Sequence, residues 1–134
     1  MNPSPTLYFR NVAATISYVA AGYVRLDWQA VPSTANDLKA IYEHVLQAMQ
    51  RYRSTAIMSV HNQRPAMPPE VQSWLVTDWI PRAVRDASYT RCAVVEAATP
   101  MSRLAARAVG IESKGLIDFR YFDGDVPADT WLRR

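Results

Sequence analysis

The run Thr55 to Val60 is mostly apolar, shows no alternation, and is bounded by turn-like sequence, with helical periodicity on either side. Short apolar runs of this kind suit a strand buried on both faces, so the chain is expected to place a central strand inside a helix-covered sheet. The stretch before it carries Leu38, Ile41, Tyr42, Val45, Leu46 and Met49 at helical spacing, with Lys39, Glu43, Gln47 and Gln50 left for solvent. This predicts an amphipathic helix of about 18 residues. Thr34 with Asp37 three residues on resembles a capping box at its start. His44 lies beside the apolar stripe and is read as a packing or surface residue.

Upstream, Leu7 to Arg10, Thr15 to Ala20 and Tyr23 to Trp28 are rich in Val, Ile, Thr, Tyr and Phe and read as strands. Ala21-Gly22 suits a tight hairpin between the second and third. Period-two alternation puts Val24, Leu26 and Trp28 on one face. Downstream, a loop from His61 to Pro68 leads to a helix from about Pro69 to Ala87. Arg91 to Glu96 is a strand, Pro100 to Val109 a helix, Leu116 to Phe122 a strand and Pro127 to Leu132 a short helix. Strands separated by helices imply parallel crossovers, and the first three strands add antiparallel pairing. The expected architecture is one mixed-sheet α/β domain over residues 6–134, after a disordered tail at 1–5.

Of 134 residues, 49% are hydrophobic and 20% charged, ordinary for one globular domain. The single cysteine, Cys92, excludes an internal disulfide and suits a reducing compartment. No apolar run approaches the roughly 18 residues of a membrane span, and the expected location is the cytoplasm. The net charge of +3 comes mostly from arginines scattered among apolar and acidic neighbours. No basic stripe with an interleaved aromatic platform emerges, so nucleic acid is not an expected partner.

The densest cluster is Trp74 to Arg82, which holds two tryptophans, Pro81 and an Asp/Arg pair. Leu75, Val76, Trp79, Ile80, Ala83 and Ala87 share a broad helical face, with Trp79 as core anchor, while Trp74 projects near Asp78 and Arg85. Pro81 removes a hydrogen bond and clashes with the carbonyl of Thr77. Either the helix kinks, or it ends near Asp78 and a second one starts at Pro81 with Asp78 at its positive end.

This order of elements resembles the SpoIIAA-like (STAS/SEC14-type) family of small bacterial proteins. The resemblance is carried by Leu26-Asp27-Trp28, the first long helix, the Arg64 loop leading through Pro69, Glu70 and Gln72 to Trp74, Asp78-Trp79-Ile80-Pro81-Arg82, Ala93-Val94-Val95, and Phe122 with Ala128 and Trp131-Leu132. It implies a four- or five-stranded mixed sheet with helices mainly on one side. Anti-sigma-factor antagonists of this type carry a phosphorylated serine after a central strand. This chain has His61, Asn62 and Gln63 there, so the phosphoserine switch does not carry over.

Three functional classes remain. A non-catalytic interaction or regulatory module, binding a protein partner or a second copy as a homodimer, rests on Trp74 and on the aromatics Tyr8, Phe9, Tyr18 and Tyr23. A small anionic or lipid-like ligand would sit between the His61 to Met67 loop and the Trp74 helix. His61, Arg64, Trp74, Asp78 and Arg82 would line that site. An enzyme would recruit His61, Asp78, Cys92 or Asp123, yet Cys92 is expected inside a strand and Asp123-Gly124-Asp125 reads as a turn. No cofactor and no metal site are expected.

Overall fold

The computed structural model describes residues 4–134. The expected tail at 1–5 therefore lies largely outside the described residues. The strands are β1 (Thr6–Arg10), β2 (Ala14–Val19), β3 (Tyr23–Trp28), β4 (Ala56–Val60), β5 (Arg91–Val95) and β6 (Asp118–Phe122). They form one six-stranded sheet in sequence order, antiparallel from β1 to β3 and parallel from β3 to β6. The sheet is thus α/β and mixed, with six strands where the family resemblance implies four or five.

Helix α1 (Ala35–Tyr52) joins β3 to β4. A continuous helical stretch of α2 (Pro69–Trp74), a π-helical turn (Leu75–Trp79) and α3 (Ile80–Ala87) joins β4 to β5, and α4 (Pro100–Glu112) joins β5 to β6. Crossovers of one hand that advance in one direction along a sheet must lie on the same face. All three do so here, packing on Ile16, Val24, Leu26, Trp28, Ile57, Cys92 and Val94. Among the described residues, the one helix on the opposite face is α5 (Asp125–Leu132), whose Ala128, Trp131 and Leu132 pack on Met58, Val60, Ala93 and Val95. Arg91 fastens that helix by donating to the carbonyls of Trp131 and Leu132. Every residue of β4 is buried, because β4 lies under helices on both sides.

The α1 capping box is present: Asp37 N–H donates to Thr34 Oγ1 at 3.1 Å and Thr34 N–H to Asp37 Oδ2 at 3.4 Å. The aromatics of the first strands turn inward onto this helix. A register shift between Leu7 and Phe9 accompanies Tyr8 meeting Tyr52 edge-on; Tyr18 stacks on Tyr52 at 4.2 Å and Phe9 on His44 at 3.7 Å. Tyr23 is on the other face, its hydroxyl bonded to Asp129 of α5. All four aromatics named as candidate dimer contacts are engaged within the chain.

A second helix starting at Pro81 is not what forms. The π-helical turn takes up the proline: Ile80 N–H donates to Leu75 O, five residues back, and the helix runs on through Pro81. A wider turn absorbs the missing donor and the ring without a break. It also keeps Leu75, Trp79, Ile80 and Ala83 buried on one face. Asp78 consequently lies mid-helix, not at a new N-terminus.

Candidate functional site

Beneath α1, the π-helical turn and α4 lies a cavity of about 50 Å³ on the helix-covered face of the sheet. Its floor is Leu26, Ile57, Ser59, Cys92 and Val94, one face of three neighbouring strands, and its roof includes Leu75, Trp79 and Ile80. The π-helical turn thus forms part of the roof.

The polar end of the cavity is built at the carboxyl end of β4. Period-two geometry puts Ile57, Ser59 and His61 on one side of the strand and its extension. His61 N–H is tied to Val95 O, prolonging the β4–β5 pairing by one residue. Asn62 then adopts a left-handed conformation at φ 48°, which asparagine tolerates better than most residues. Arg64 N–H closes the turn on His61 O at 2.8 Å, and Ala98 N–H holds Asn62 O. This tight turn folds the Arg64 side chain back over the end of β3, where its guanidinium carbon lies 3.6 Å from the Trp28 ring centroid.

Trp28 Nε1–H donates to Ser59 Oγ at 3.0 Å, and Ser59 Oγ lies 2.9 Å from His61 Nε2. Indole N–H is a donor only, and the serine oxygen has one hydrogen and two lone pairs, so Ser59 Oγ accepts from Trp28 and bonds His61 Nε2 in the direction that the imidazole tautomer sets. Burial, and secondarily the charge of Arg64, hold His61 well below its usual range, so the imidazole is neutral. His61 and Arg64 are each only 4% exposed. Among the described residues, Arg64 makes no ion pair and its Nη2 has no hydrogen-bond acceptor.

Tyr42 and Tyr89 also face the cavity, and burial raises both hydroxyls above their ordinary range. Cys92 lines the wall, its thiol pushed up to about 12 by burial, so it stays protonated and unreactive near neutral pH. On the outer side of Arg64, Arg64 and Met67 separate the cavity from a surface cleft of about 210 Å³ walled by Trp28, Val31, Pro32, Leu38 and Pro65 to Pro68.

The five residues named from sequence therefore separate. His61 and Arg64 come together, while Trp74, Asp78 and Arg82 line neither the cavity nor the cleft. Trp74 is half-buried in the α1–α2 seam, edge-on to Tyr42 at 6.2 Å and under Lys39 Nζ at 5.6 Å. Arg82 forks onto Glu43 of α1 and reaches Asp78 at 2.9 Å, a charge cluster on the outer surface. Asp123 is exposed in the turn before α5. Sequence reasoning missed Trp28, Ser59 and Tyr42. Strand geometry puts Ser59 and His61 on the side of Ile57, but only the β3–β4 register, with Leu26 opposite Ser59, brings Trp28 onto them.

Among the described residues, no group of three His, Cys, Asp or Glu side chains is arranged to hold a metal ion, and no helix is long and apolar enough to cross a membrane. No protein-family description, curated protein or solved structure matches the chain.

Proposed function

We propose that this domain binds a small anionic ligand, taken up between Arg64 and the cavity under α1 and the π-helical turn. The observation that carries this reading is the buried, unpaired guanidinium of Arg64. Removing a charge from water costs several kcal/mol unless a partner of opposite sign compensates. Stacking on Trp28 offsets part of that cost, and an anion paired with the guanidinium would supply the rest. The neutral His61 favours binding over catalysis. Deprotonation of Ser59 by His61 would create an imidazolium against both burial and the Arg64 charge, so this pair is poorly suited to activating a nucleophile.

The SpoIIAA-like resemblance belongs to this proposal as the regulatory context in which a bound anion would act. It is supported by the unreversed strand order and by three crossover helices on one face. An interaction surface is a second reading. Met101, Leu104 and Ile111, all well exposed on α4, favour it.

The test is thermal denaturation at constant ionic strength with a panel of small carboxylates, phosphates and sulfonates, each beside a neutral analogue. Ligands that bind only the folded state raise its stability by mass action. The wild type is expected to be stabilised by at least one anion class and Arg64→Gln by none. A wild type indifferent to every anion would overturn the proposal.

A further inference from the structure

From the charge, size and layout of this cavity we infer that the ligand is a short aliphatic monocarboxylate, its carboxylate on Arg64 and its tail lying along β4 toward Ile57. This rests on the anion-binding reading and narrows it to one class.

Charge selects a monoanion. Arg64 is the only full positive charge among the residues lining the cavity and cleft, and no acid lines either. One guanidinium fits one carboxylate in charge and in planar geometry. A phosphate dianion would need a second cation or a nest of backbone donors, and the lining offers neither a lysine nor another arginine.

Layout places the tail. The polar groups Ser59, His61 and Arg64 cluster at the carboxyl end of β4. Two residues back the floor becomes Ile57, whose register partner is Cys92, followed by Phe119 on β6. Those two residues span roughly 7 Å along a strand. Ile80 of the roof and Val109 of α4 complete the lining. A second charged group at the far end would meet no cation, only apolar walls and the neutral Tyr89 and Cys92 side chains, which disfavours a dicarboxylate.

Size limits the tail. A volume of about 50 Å³ holds about three to five water-sized groups at roughly 10–15 Å³ each. The acid therefore has about four to six carbons, counting a carboxyl carbon held at Arg64. A long-chain lipid acid does not fit.

The experiment is calorimetric titration of the wild-type protein with the straight-chain acids from acetate to octanoate, and with succinate, dodecanoate and inorganic phosphate, at fixed pH and ionic strength. Affinity is expected to rise about fourfold per methylene up to the optimum, then to fall by octanoate. Succinate and phosphate are expected to bind at least tenfold more weakly than the best acid. Arg64→Gln should lose at least tenfold for all acids, while Arg82→Gln should bind as the wild type does. Ala106→Leu, which projects into the cavity from α4, should move the optimum to a shorter acid, and circular dichroism establishes that each variant is folded.

Preferred binding of phosphate without chain-length dependence would overturn the monocarboxylate inference and leave the anion reading standing. So would dodecanoate binding more tightly than any short acid. Failure of every anion to bind would overturn both.

Discussion

Arg64 and Arg82 are separated by one loop and one helix in sequence, yet they occupy opposite electrostatic situations. Arg82 sits on the outer surface between Glu43 and Asp78, its one charge answered by two carboxylates and most of the cluster in reach of water. Arg64 is folded under a turn, stacked on an indole and given no acid at all. A paired, solvated arginine needs no further explanation, since such clusters contribute little and are screened by salt. A buried unpaired one is a standing cost that the rest of the fold must offset. That asymmetry locates the candidate site at Arg64 and removes Arg82 from it.

The largest effect should come from the wall the two regions share. Trp79 is 1% exposed, donates Nε1–H to Tyr42 O at 2.8 Å, and stands between Tyr42 and Tyr89 in a row of aromatic rings. Trp79→Ala is expected to lower unfolding free energy by about 3–5 kcal/mol, measured by urea denaturation. Next comes Arg64→Leu, expected to leave stability unchanged or raise it by up to about 3 kcal/mol, because it removes an unpaired buried charge. A loss above about 1 kcal/mol in the same measurement would show that the Trp28 stack alone repays the burial of Arg64, and the contrast with Arg82 would collapse.

The pH dependence of stability sharpens the comparison further. His61 is held neutral in the folded protein, whereas in the unfolded chain it titrates near 6.5, its ordinary value. Between that value and its lowered folded one, the unfolded state binds the extra proton, so stability is full above about pH 6.5 and falls as pH drops. The slope contributed is up to about 1.4 kcal/mol per pH unit. Denaturation curves from pH 7 to 5 should show it, and His61→Gln should flatten it. Glu96 and Asp129 are held below their ordinary ranges, Glu96 chiefly by its bond to Arg107 and Asp129 by its bonds to Arg133 and Tyr23, which outweigh burial. Their stabilisation is lost only as pH falls below the usual carboxylate range, outside this window. The smallest change belongs to Arg82→Ala, about 0.2–1 kcal/mol at low salt and less at high salt. A larger value that persists in salt would make the surface cluster a structural lock.

Much of the fold could be read locally. The capping box of Thr34 and Asp37, the helical stripe from Leu38 to Met49 and the unbroken apolar run of β4 are patterns whose meaning depends on residues a few positions apart. Pro81 shows where that reading stops. A proline in a helical pattern predicts a kink or an end, but burial of Leu75, Trp79 and Ile80 on one face rewards a continuous helix, and a π-helical turn reconciles the two. The candidate site was half legible. His61 and Arg64 stood out as polar residues in the loop after a buried strand. Trp74, Asp78 and Arg82 were grouped with them because they are close in sequence and share tryptophan and charge, and the helix turns them toward α1 instead.

By itself the sequence determined the kinds of elements and their order, because hydrophobic periodicity, caps and turn residues act over a few residues and leave their signature in place. It also implied parallel pairing for the strands joined by helices, since a crossover helix returns the chain to the end where the preceding strand began. What only the tertiary structure decided is which charges are answered. Trp28, Ser59, His61 and Arg64 are brought within hydrogen-bonding and stacking distance by the β3–β4 register and by the left-handed turn at Asn62. Burial and pairing are properties of that assembled neighbourhood. They turn one arginine among 13 into a candidate binding group and leave Arg82 a surface ion pair.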